Sequence, residues 1–382
     1  MTTDTGTAGA KPPAIPATPT PTPTPTTEPG DAPPHRAWLE IACTASADVA
    51  PRLLPELARP ILTEPPPGTE APPGFFLRGT GPAQPTLSVQ LALGPHNSER
   101  AWEYADRARR LARRLGPVKV TTGPARLVPL TGSVFDGPAL APFTRGVLAG
   151  VCPALLAVAE AGERSGPALL TAAAELMTAH LRGVSASGAP GPREYEENRE
   201  GVPLGFLSYR SHAEAFVAGS RAPEAARDAL SKQYARVATT LESLVEAVLA
   251  QSEDRGPVVS RPARQWCEGV RTAKPAAADL FRTGSELVLR EEEEGLDATA
   301  LDESAFHRIV GSSGGLRDFL NRDPAFLAAR LLTSLLYLGL YSAGITLAER
   351  YFLCYSVSRA CEVLYNTDAL TVLSGLAGAR NF

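Results

Sequence analysis

A long uncharged stretch near the carboxyl end, LLTSLLYLGLYSAGITLA at residues 331–348, constrains the fold of this chain more than any other feature. A run of this length reaches the lower limit for a helix that spans a bilayer. The helical pattern continues through Glu349 and Arg350 into a second stretch, and no aromatic and basic flanks of the membrane type bracket the first. We therefore predict two packed, buried helices, with a membrane span as the alternative.

The same region is rich in hydroxyl groups, since five of the nine tyrosines lie between residues 331 and 366. Ser334, Tyr337 and Tyr341 are spaced i, i+3 and i+7 and share one helix face. One face of the second helix carries Tyr351, Tyr355, Ser358, Glu362 and Tyr365. A buried hydroxyl without a partner costs about 1–3 kcal/mol. If the helices pack antiparallel, both faces can line one ligand cavity; alternatively, each tyrosine is an ordinary core residue.

Composition excludes several classes of protein. With 382 residues, 44% of them hydrophobic, the chain can bury a sizeable core, and its formal charge of -4 argues against a general role in nucleic-acid binding. The five cysteines form no CxxC pair, and their odd number fits a reducing compartment, so we predict a cytoplasmic location.

Standard cofactor and metal motifs are missing from the sequence. GxGxxG, GxxxxGK[ST], GxSxG and HExxH do not occur, and the five histidines are far apart, so we predict neither a cofactor nor a metal site. His212 and His307 are interpreted as capping or surface residues rather than as a catalytic pair.

The chain changes character along its length. Residues 1–34 form a Thr/Pro-rich tail, which we expect to be disordered because it has little apolar surface to bury. Strand-like runs and one strong helix predict a small α/β module over residues 35–135. From residue 136 to 382 the apolar period is helical. The predicted fold is α+β, a small α/β module followed by a mainly helical catalytic region.

Four stretches occur in the order found in one enzyme family. They are AWLEIAC at 37–43, GFFLRGTGPAQPTLSVQLAL at 74–93, REYEENREGVPLGFLSYRSHAEAFVAGS at 193–220 and TSLLYLGLYSAGITLAERYFLCYS at 333–356. Together they resemble the elimination domain of class I lantibiotic dehydratases and its stand-alone relatives in thiopeptide biosynthesis. The resemblance covers about residues 35–382 and implies a shared scaffold.

Departures from this family concern the residues that eliminate glutamate. The second strand, TLSVQLAL at 86–93, lacks the His and Arg of those relatives, and ENREGVPLG at 197–205 lacks their Tyr-Gly-Gly. Ser334, Leu336 and Tyr337 stand where those relatives have His, Asn and Arg. Because elimination of a glutamyl ester needs a base and cations for the leaving carboxylate, a glutamyl lyase is the weaker alternative, together with a non-catalytic peptide-binding scaffold.

The resemblance instead points to the thiopeptide pyridine synthases. It implies a formal aza-[4+2] cycloaddition between two dehydroalanines of a leader-bearing, azole-containing peptide, followed by loss of water and expulsion of the leader, without a cofactor. Tyr341 is the first candidate for the proton shuttle, with Ser334 and Tyr337 orienting the reacting amide and Leu336 contacting the substrate. Secondary catalytic candidates are Tyr351, Tyr355 and Tyr365.

Substrate binding is expected at arginines. Arg107, Arg110 and Arg114 are spaced i, i+3 and i+7 on the predicted helix SERAWEYADRARRLARRL, with Arg109 and Arg113 beside them. This face is either a dock for an acidic leader peptide, next to a sheet edge, or simply a solvated helix face.

Two further arginines lie in stretches matched to the family. Arg78 and Arg199 are predicted to line the channel of the core peptide, which is the part of the precursor that becomes the product.

Overall fold

The computed structural model describes residues 37–66, 69–79, 86–94, 98–125, 135–136, 140–185, 202–250, 259–283, 288–289 and 304–379. Residues 36–382 form one compact unit. The predicted disordered tail and Arg199 lie outside the described residues. The predicted boundary at 135/136 falls on a short strand, β5 (Phe135–Asp136), which pairs with β6 (Val288–Leu289).

Near the amino-terminal end of the described region lies a four-stranded antiparallel sheet with the strand order β2-β3-β1-β4. Its strands are β1 (Ala37–Thr44), β2 (Gly74–Arg78), β3 (Leu87–Leu93) and β4 (Lys119–Pro124). Strand β3 is central and buried along its whole length, since both faces of the sheet are covered. Strand β4 is an edge strand whose side chains are mostly exposed.

Helices cover the two faces of the sheet. Leu91 and Gln90 are neighbours on β3, so their side chains point to opposite faces. A Cβ atom on Gly74 would lie 2.7 Å from Leu91 Cδ2 and 2.9 Å from Leu62 Cδ2, so this strand passes close to the helices on that face. On the opposite face, Gln90 accepts a hydrogen bond of 3.2 Å from Arg145 of the helical region.

Four helical segments of the module lie beside the sheet and come before α4 in the chain. They are α1 (Ala50–Leu53), a π-helical stretch (Leu54–Ala58), α2 (Arg59–Thr63) and α3 (Ser98–Leu115). Helix α3 runs over the residues predicted to form the strong helix of the module.

Helices make up the described part of the chain after residue 140, apart from β6. They are α4 (Leu140–Arg164), α5 (Gly166–Ser185), α6 (Phe206–Ala218), α7 (Pro223–Ala235), α8 (Ala238–Leu249), α9 (Arg261–Thr283), α10 (Ala305–Ser312), α11 (Gly314–Arg322), α12 (Pro324–Ala343), α13 (Leu347–Leu364) and α14 (Ala369–Ala379). The predicted α+β class is confirmed.

Two helices of the described region, α4 and α12, are long and apolar enough to cross a membrane. The mean hydropathy of their most apolar windows is 1.5 and 1.4, and 56% and 61% of these windows are buried inside the protein. Close packing accounts for this burial: a Cβ atom on Gly339 of α12 would lie 2.8 Å from Leu155 of α4. Both helices therefore have partners within the core, as predicted for residues 331–348.

Helices α12 and α13 are joined by a tight connection. Gly344 ends α12 with a left-handed φ of 113°, and Thr346 with Glu349 forms a capping box that starts α13. The expected antiparallel packing of the two helices is wrong. Helix α12 packs mainly on α9 and α4, whereas α13 packs mainly on α6 and α8, so the pair diverges from the connection. Each helix has more apolar surface to bury than its neighbour in sequence can cover.

A buried histidine joins α5, α9 and α12. The Trp266 indole N–H donates to His180 Nδ1 at 3.3 Å, which leaves Nε2 to donate to Thr333 Oγ1 at 3.0 Å. Thr333 in turn donates to the Ala329 carbonyl at 2.9 Å. Burial lowers the pKa of His180 to about 3. The ring is thus a neutral structural group with both nitrogens satisfied.

This histidine should make stability depend on pH. Its pKa is about 3 in the folded state and about 6.5 in the unfolded state, so the unfolded chain binds the extra proton between these values. The stabilisation is complete above pH 6.5 and is lost as the pH falls. When the pH is lowered from 7.5 to 5.5, we expect protonation of this histidine in the unfolded chain to reduce the free energy of unfolding by about 1.4 kcal/mol. Urea unfolding at the two pH values measures this decrease. The free energy of unfolding of His180→Gln should fall less than that of the wild type between the same pH values, and an equal fall in both proteins would contradict the prediction.

Candidate active site in the groove between α6 and α12

Two stripes of partly exposed side chains lie on α6 and α12. From Arg330 to the end of α12, the partly exposed residues are Arg330, Ser334, Leu338 and Tyr341, spaced i, i+4, i+8 and i+11. On α6 the corresponding stripe is Ser208, His212 and Phe216, and Ser220 follows two residues after the helix ends. The rings of His212 and Tyr337 meet edge to face with centroids 5.1 Å apart, which brings the two stripes together. These stripes and the side chains between them are called the groove below.

Arg350 lies at one end of the groove, where its guanidinium is surrounded by three tyrosine rings. Its Cζ atom lies 4.8 Å from the ring centroid of Tyr337, 5.4 Å from that of Tyr341 and 4.7 Å from that of Tyr351. Cation–π contacts of this kind contribute about 0.5–2 kcal/mol each. Four residues from the two diverging helices thus form one cluster.

The Arg350 guanidinium lacks an acceptor within the described part of the chain. Its Nε atom is buried without a hydrogen-bond partner, and no described acidic side chain pairs with the group. The neighbouring Glu349 carboxylate is taken up by the capping box, where it accepts from Thr346 N at 2.8 Å and from Thr346 Oγ1 at 2.7 Å. A half-buried cation with unused donors is suited to bind a carbonyl or carboxylate oxygen of a ligand.

The surroundings of His212 favour its neutral form over its cationic form. Burial, followed by the positive charges of Arg350 and Arg330, lowers the pKa of His212 to about 3. At neutral pH the imidazole is therefore uncharged. It can accept a hydrogen bond at one nitrogen and donate one from the other.

Tyr341, the predicted proton shuttle, lies in the Arg350 cluster. Burial raises the pKa of Tyr341, while the Arg350 charge opposes this rise. The phenol is half-buried and remains protonated at neutral pH. It can therefore donate a hydrogen bond or a proton in the groove.

Ser334 and Tyr337 lie in the same region but differ in their hydroxyl contacts. The Ser334 Oγ donates to the Arg330 carbonyl at 3.2 Å and keeps its acceptor capacity towards the groove. The Tyr337 ring is nearly fully buried, and its hydroxyl is 3.4 Å from the Cys354 sulfur between α12 and α13. Burial raises the pKa of Tyr337 well above its usual value. Tyr337 thus supports Arg350 and His212 with its ring.

The predicted hydroxyl face of α13 divides into separate groups. Tyr351 belongs to the Arg350 cluster and stacks on Phe216, with centroids 4.5 Å apart and ring planes inclined by 20°. Tyr355 lies elsewhere, under the Arg210 guanidinium at 5.8 Å. Tyr365 caps the carboxyl end of α13. The expectation that this whole face lines a single cavity is therefore wrong, because α13 turns away from α12.

Around Tyr355 a buried ion-pair network links α6 to α13. Arg210 Nη2 lies 3.0 Å from Glu214 Oε1, and Arg210 Nη1 lies 3.5 Å from Glu362 Oε2. Glu362 also accepts from Arg359 and from the Ala369 backbone N–H at 3.0 Å. The carboxylates here have partners, which points to a structural role.

The predicted substrate contacts Leu336, Arg78 and Arg199 have different surroundings. Leu336 is fully buried in the core. Arg78 reaches the α12–α13 connection, where a Cβ atom on Gly344 would lie 3.6 Å from Arg78 Nη2, and burial lowers the pKa of Arg78. Arg199 lies outside the described residues. Arg78 is thus near the Tyr341 end of the groove.

Two of the predicted leader-binding arginines already have partners. Arg107 Nη2 lies 2.7 Å from Glu64 Oε2, and Arg110 pairs with Asp106 one turn earlier on α3. Both contacts are with residues of the module itself. Their side chains are therefore less available to a peptide than the helical spacing alone suggests.

The other three arginines predicted to bind the leader face solvent. Arg109, Arg113 and Arg114 are exposed and have no acidic partner among the residues with described structure. Trp102, 65% exposed, shares a face with Arg109 and Arg113 because it precedes them by seven and eleven residues. Together with the edge strand β4, this helix offers cationic, aromatic and backbone contacts.

Arg350, His212 and Phe216 were not among the predicted site residues. A charge that follows a long uncharged run was one available signal for Arg350. Its place in the first turn of α13, one residue before Tyr351, puts it beside tyrosines of both helices. His212 and Phe216 are spaced i, i+4, but their contacts, with Tyr337 of α12 and Tyr351 of α13, link residues far apart in sequence.

Two other concave surfaces lie away from the groove. One, of about 270 Å³, is lined by residues of α4, α5 and the start of α9, including Glu160, Arg164 and Glu175. The other is a shallow cleft of about 500 Å³ between α4 and α9, lined by residues including Arg261 and Arg264. Neither contains a residue of the Arg350 cluster, and the unsatisfied guanidinium makes the groove the stronger candidate.

Comparison with known proteins identifies the scaffold. No protein-family model and no curated protein matches the chain. Among solved structures it is similar to TsrL, with 22% identity, a TM-score of 0.66 and coverage of 89% of this chain and 98% of that one. It is also similar to TbtD, a pyridine synthase from thiomuracin biosynthesis, with 21% identity, a TM-score of 0.56 and coverage of 87% and 99%.

A third similarity is to the tRNA-dependent lantibiotic dehydratase MibB from Microbispora sp. 107891, with 18% identity over 89% of this chain and 28% of that one. Its TM-score of 0.42 is too low to show a shared fold by itself. The two stronger matches confirm, at the level of the fold, the resemblance predicted from the order of the sequence stretches: this chain is built on the scaffold of TsrL and of the pyridine synthase TbtD.

Proposed function

We propose that the protein is a pyridine-forming cyclase of thiopeptide biosynthesis that acts in the cytoplasm on a leader-bearing, azole-containing peptide with two dehydroalanines. The observation that carries this proposal is the half-buried Arg350 guanidinium, without a described acidic partner, among phenol groups. The scaffold shared with a pyridine synthase supports it. Such a site suits polarisation of an amide more than nucleophilic attack.

The reaction joins two alkenes of one peptide. The amide before the first dehydroalanine shifts to its imidic-acid form, giving a 2-azadiene. Its terminal CH₂ bonds to the CH₂ of the second dehydroalanine, and its hydroxyl-bearing carbon bonds to the α-carbon of that residue. Loss of water and of the leader, as an amide, then gives the pyridine. Holding the alkenes together supplies up to about 7–11 kcal/mol in favourable intramolecular cases.

Arg350 and Tyr341 have different roles in the proposed tautomerisation. Arg350 donates hydrogen bonds to the amide oxygen, which becomes the hydroxyl of the imidic acid. Tyr341 transfers the proton between nitrogen and oxygen, and the Ser334 hydroxyl accepts from the peptide. Tyr337 and Tyr351 act as positioning residues, since their rings hold the guanidinium in place.

Mass spectrometry of the products tests the function. The protein is incubated with a leader-bearing, azole-containing bis-dehydroalanine peptide. A cyclase yields a macrocycle lighter than the substrate by water and the leader amide. Loss of glutamate from a glutamylated serine would instead identify a lyase, and binding without a change of mass would indicate a scaffold; either result would reject the cyclase.

Leader binding is proposed at α3 and the edge strand β4. Trp102 offers an apolar anchor, while Arg109, Arg113 and Arg114, which have no acidic partner in the described part of the chain, offer positive charges to an acidic peptide. The exposed β4 edge has backbone groups that an extended segment can pair with. Of the five arginines predicted from their spacing, the proposed dock therefore uses these three, rather than Arg107 and Arg110, which pair with Glu64 and Asp106.

Charge reversal tests this dock. We expect Arg113→Glu with Arg114→Glu to weaken leader-peptide affinity about tenfold at low salt, because each exposed ion pair contributes up to about 1 kcal/mol. Fluorescence anisotropy of a labelled leader measures the change. The matched control is Arg261→Glu with Arg264→Glu, which reverses two exposed charges on α9. Equal affinities of both double variants would refute the dock.

A further inference from the structure

A serine and a histidine form a close pair at the edge of the groove. Ser211 Oγ on α6 lies 3.2 Å from His307 Nε2 on α10, and both residues are partly exposed. The next residue, His212, contacts the Tyr337 ring, which in turn lies under Arg350. The pair is thus connected to the Arg350 cluster through two side chains. His307, interpreted from the sequence as a capping or surface residue, belongs to this polar contact.

The surroundings of the pair favour proton transfer. A neutral imidazole accepts a proton at one nitrogen while it donates from the other, and a serine hydroxyl can relay a proton to it. The neighbouring His212 has a pKa lowered to about 3 by burial, followed by the positive charges of Arg350 and Arg330. A hydroxyl and an imidazole nitrogen within hydrogen-bond distance of each other are thus available one residue from His212.

The later half of the proposed reaction needs a base. The first ring product carries a hydroxyl group on one carbon, the leader amide on the next, and two CH₂ groups. Each elimination removes one proton from a CH₂ group and delivers one proton to the leaving group, hydroxyl or amide nitrogen. No oxidant is required, because water and the leader amide carry away all the atoms lost. Formation of the ring itself needs no such C–H deprotonation.

We infer that His307, with Ser211 as its relay, is the base that takes the ring protons and returns them to the departing water and leader amide. This assignment rests on the proposed cyclase function and separates two sets of residues. Arg350 and Tyr341 serve the bond-forming step. Ser211 and His307 serve the eliminations that make the ring aromatic.

His307→Gln and Ser211→Ala test this division of labour. Glutamine keeps a polar contact with Ser211 but cannot act as a base. Two rates are followed on the leader-bearing bis-dehydroalanine peptide: loss of both thiol-reactive alkenes, by thiol trapping and mass spectrometry, and release of the leader. Ser312→Ala, an exposed position on α10 whose hydroxyl bonds its own helix, is the matched control.

In the two variants we expect alkene loss within about threefold of wild type and leader release slowed about 100-fold, the effect of losing a general base. A thiol-unreactive intermediate with the leader attached should accumulate, equal in mass to the substrate or lighter by one water. Wild-type leader release in both variants would overturn the assignment. So would parallel slowing of both rates, which indicates a structural role. If wild-type protein converts no peptide, the proposed function itself fails, and this assignment with it.

Discussion

Arg350→Gln should lower kcat for pyridine formation by about 10²–10³, which corresponds to about 2.7–4 kcal/mol of lost transition-state stabilisation. The guanidinium is half-buried, lies 4.7–5.4 Å from three tyrosine rings and has no acceptor among the residues described. A buried donor without a partner costs free energy, so we expect these donors to bind the amide oxygen on which charge develops. Glutamine removes the charge with little loss of volume. Single-turnover rates by mass spectrometry measure the effect.

Two further variants separate charge from geometry at this position. Arg350→Lys keeps the charge but loses the planar group that stacks on the rings, so it should recover only a minor part of the lost rate. Arg322→Gln changes an arginine on α11 that is 81% exposed and should leave turnover unchanged. Full activity of Arg350→Gln would remove Arg350 from the mechanism.

Tyr341→Phe should lower turnover by about 10²-fold or more, the usual contribution of a positioned proton donor. Removing a single oxygen leaves the ring under Arg350, so the variant should fold with nearly unchanged stability. Burial raises the pKa of Tyr341 despite the opposing Arg350 charge. The phenol must be protonated to donate, so its contribution should persist from neutral pH up to about pH 10, the ordinary value for tyrosine.

Tyr365→Phe is the matched control, because Tyr365 lies at the far end of α13, away from the Arg350 cluster. Its rate and its thermal midpoint should match those of the wild type. A Tyr341→Phe enzyme that turns over as fast as this control would show that the phenol transfers no proton.

Local patterns were sufficient to predict most of the fold. The strand-like runs AWLEIACT, GFFLRG, TLSVQLAL and VKVTTG predict the four strands of the main sheet, and a strong amphipathic period predicts α3, because both signals depend on neighbouring residues alone. A fifth strand-like run, ARLVPL at 125–130, lies outside the described residues after Ala125. Helix α9 was not singled out from the sequence, although its apolar and polar faces are almost as clearly separated as those of α3; the internal Pro275 argues against a continuous helix there. The stretch APEAARDALSKQYARVATTLESLVEAVLAQ predicts helix over residues 222–251, and the structure divides it between α7 and α8.

The site could be predicted only in part, because its geometry depends on how helices pack. Helical spacing placed Ser334 and Tyr341 on one face, and both lie on the partly exposed stripe of α12. Helical spacing also placed Tyr355 on the same face as Tyr351. In the structure α13 diverges from α12, and Tyr355 lies in the Arg210 network instead. The contact of His212 with Tyr337 joins residues over 100 positions apart, which no local period encodes.

Photocrosslinking tests most directly whether the groove holds the core peptide. p-Benzoylphenylalanine in place of Tyr341 would put a reactive ketone in the Arg350 cluster; in place of Leu347, which is 50% exposed at the start of α13, it serves as the control. After irradiation with the leader-bearing bis-dehydroalanine peptide, we predict that position 341 crosslinks to the dehydroalanine- and azole-containing core, and position 347 does so much less. Capture of the leader at 341, or equal capture at both positions, would contradict the account.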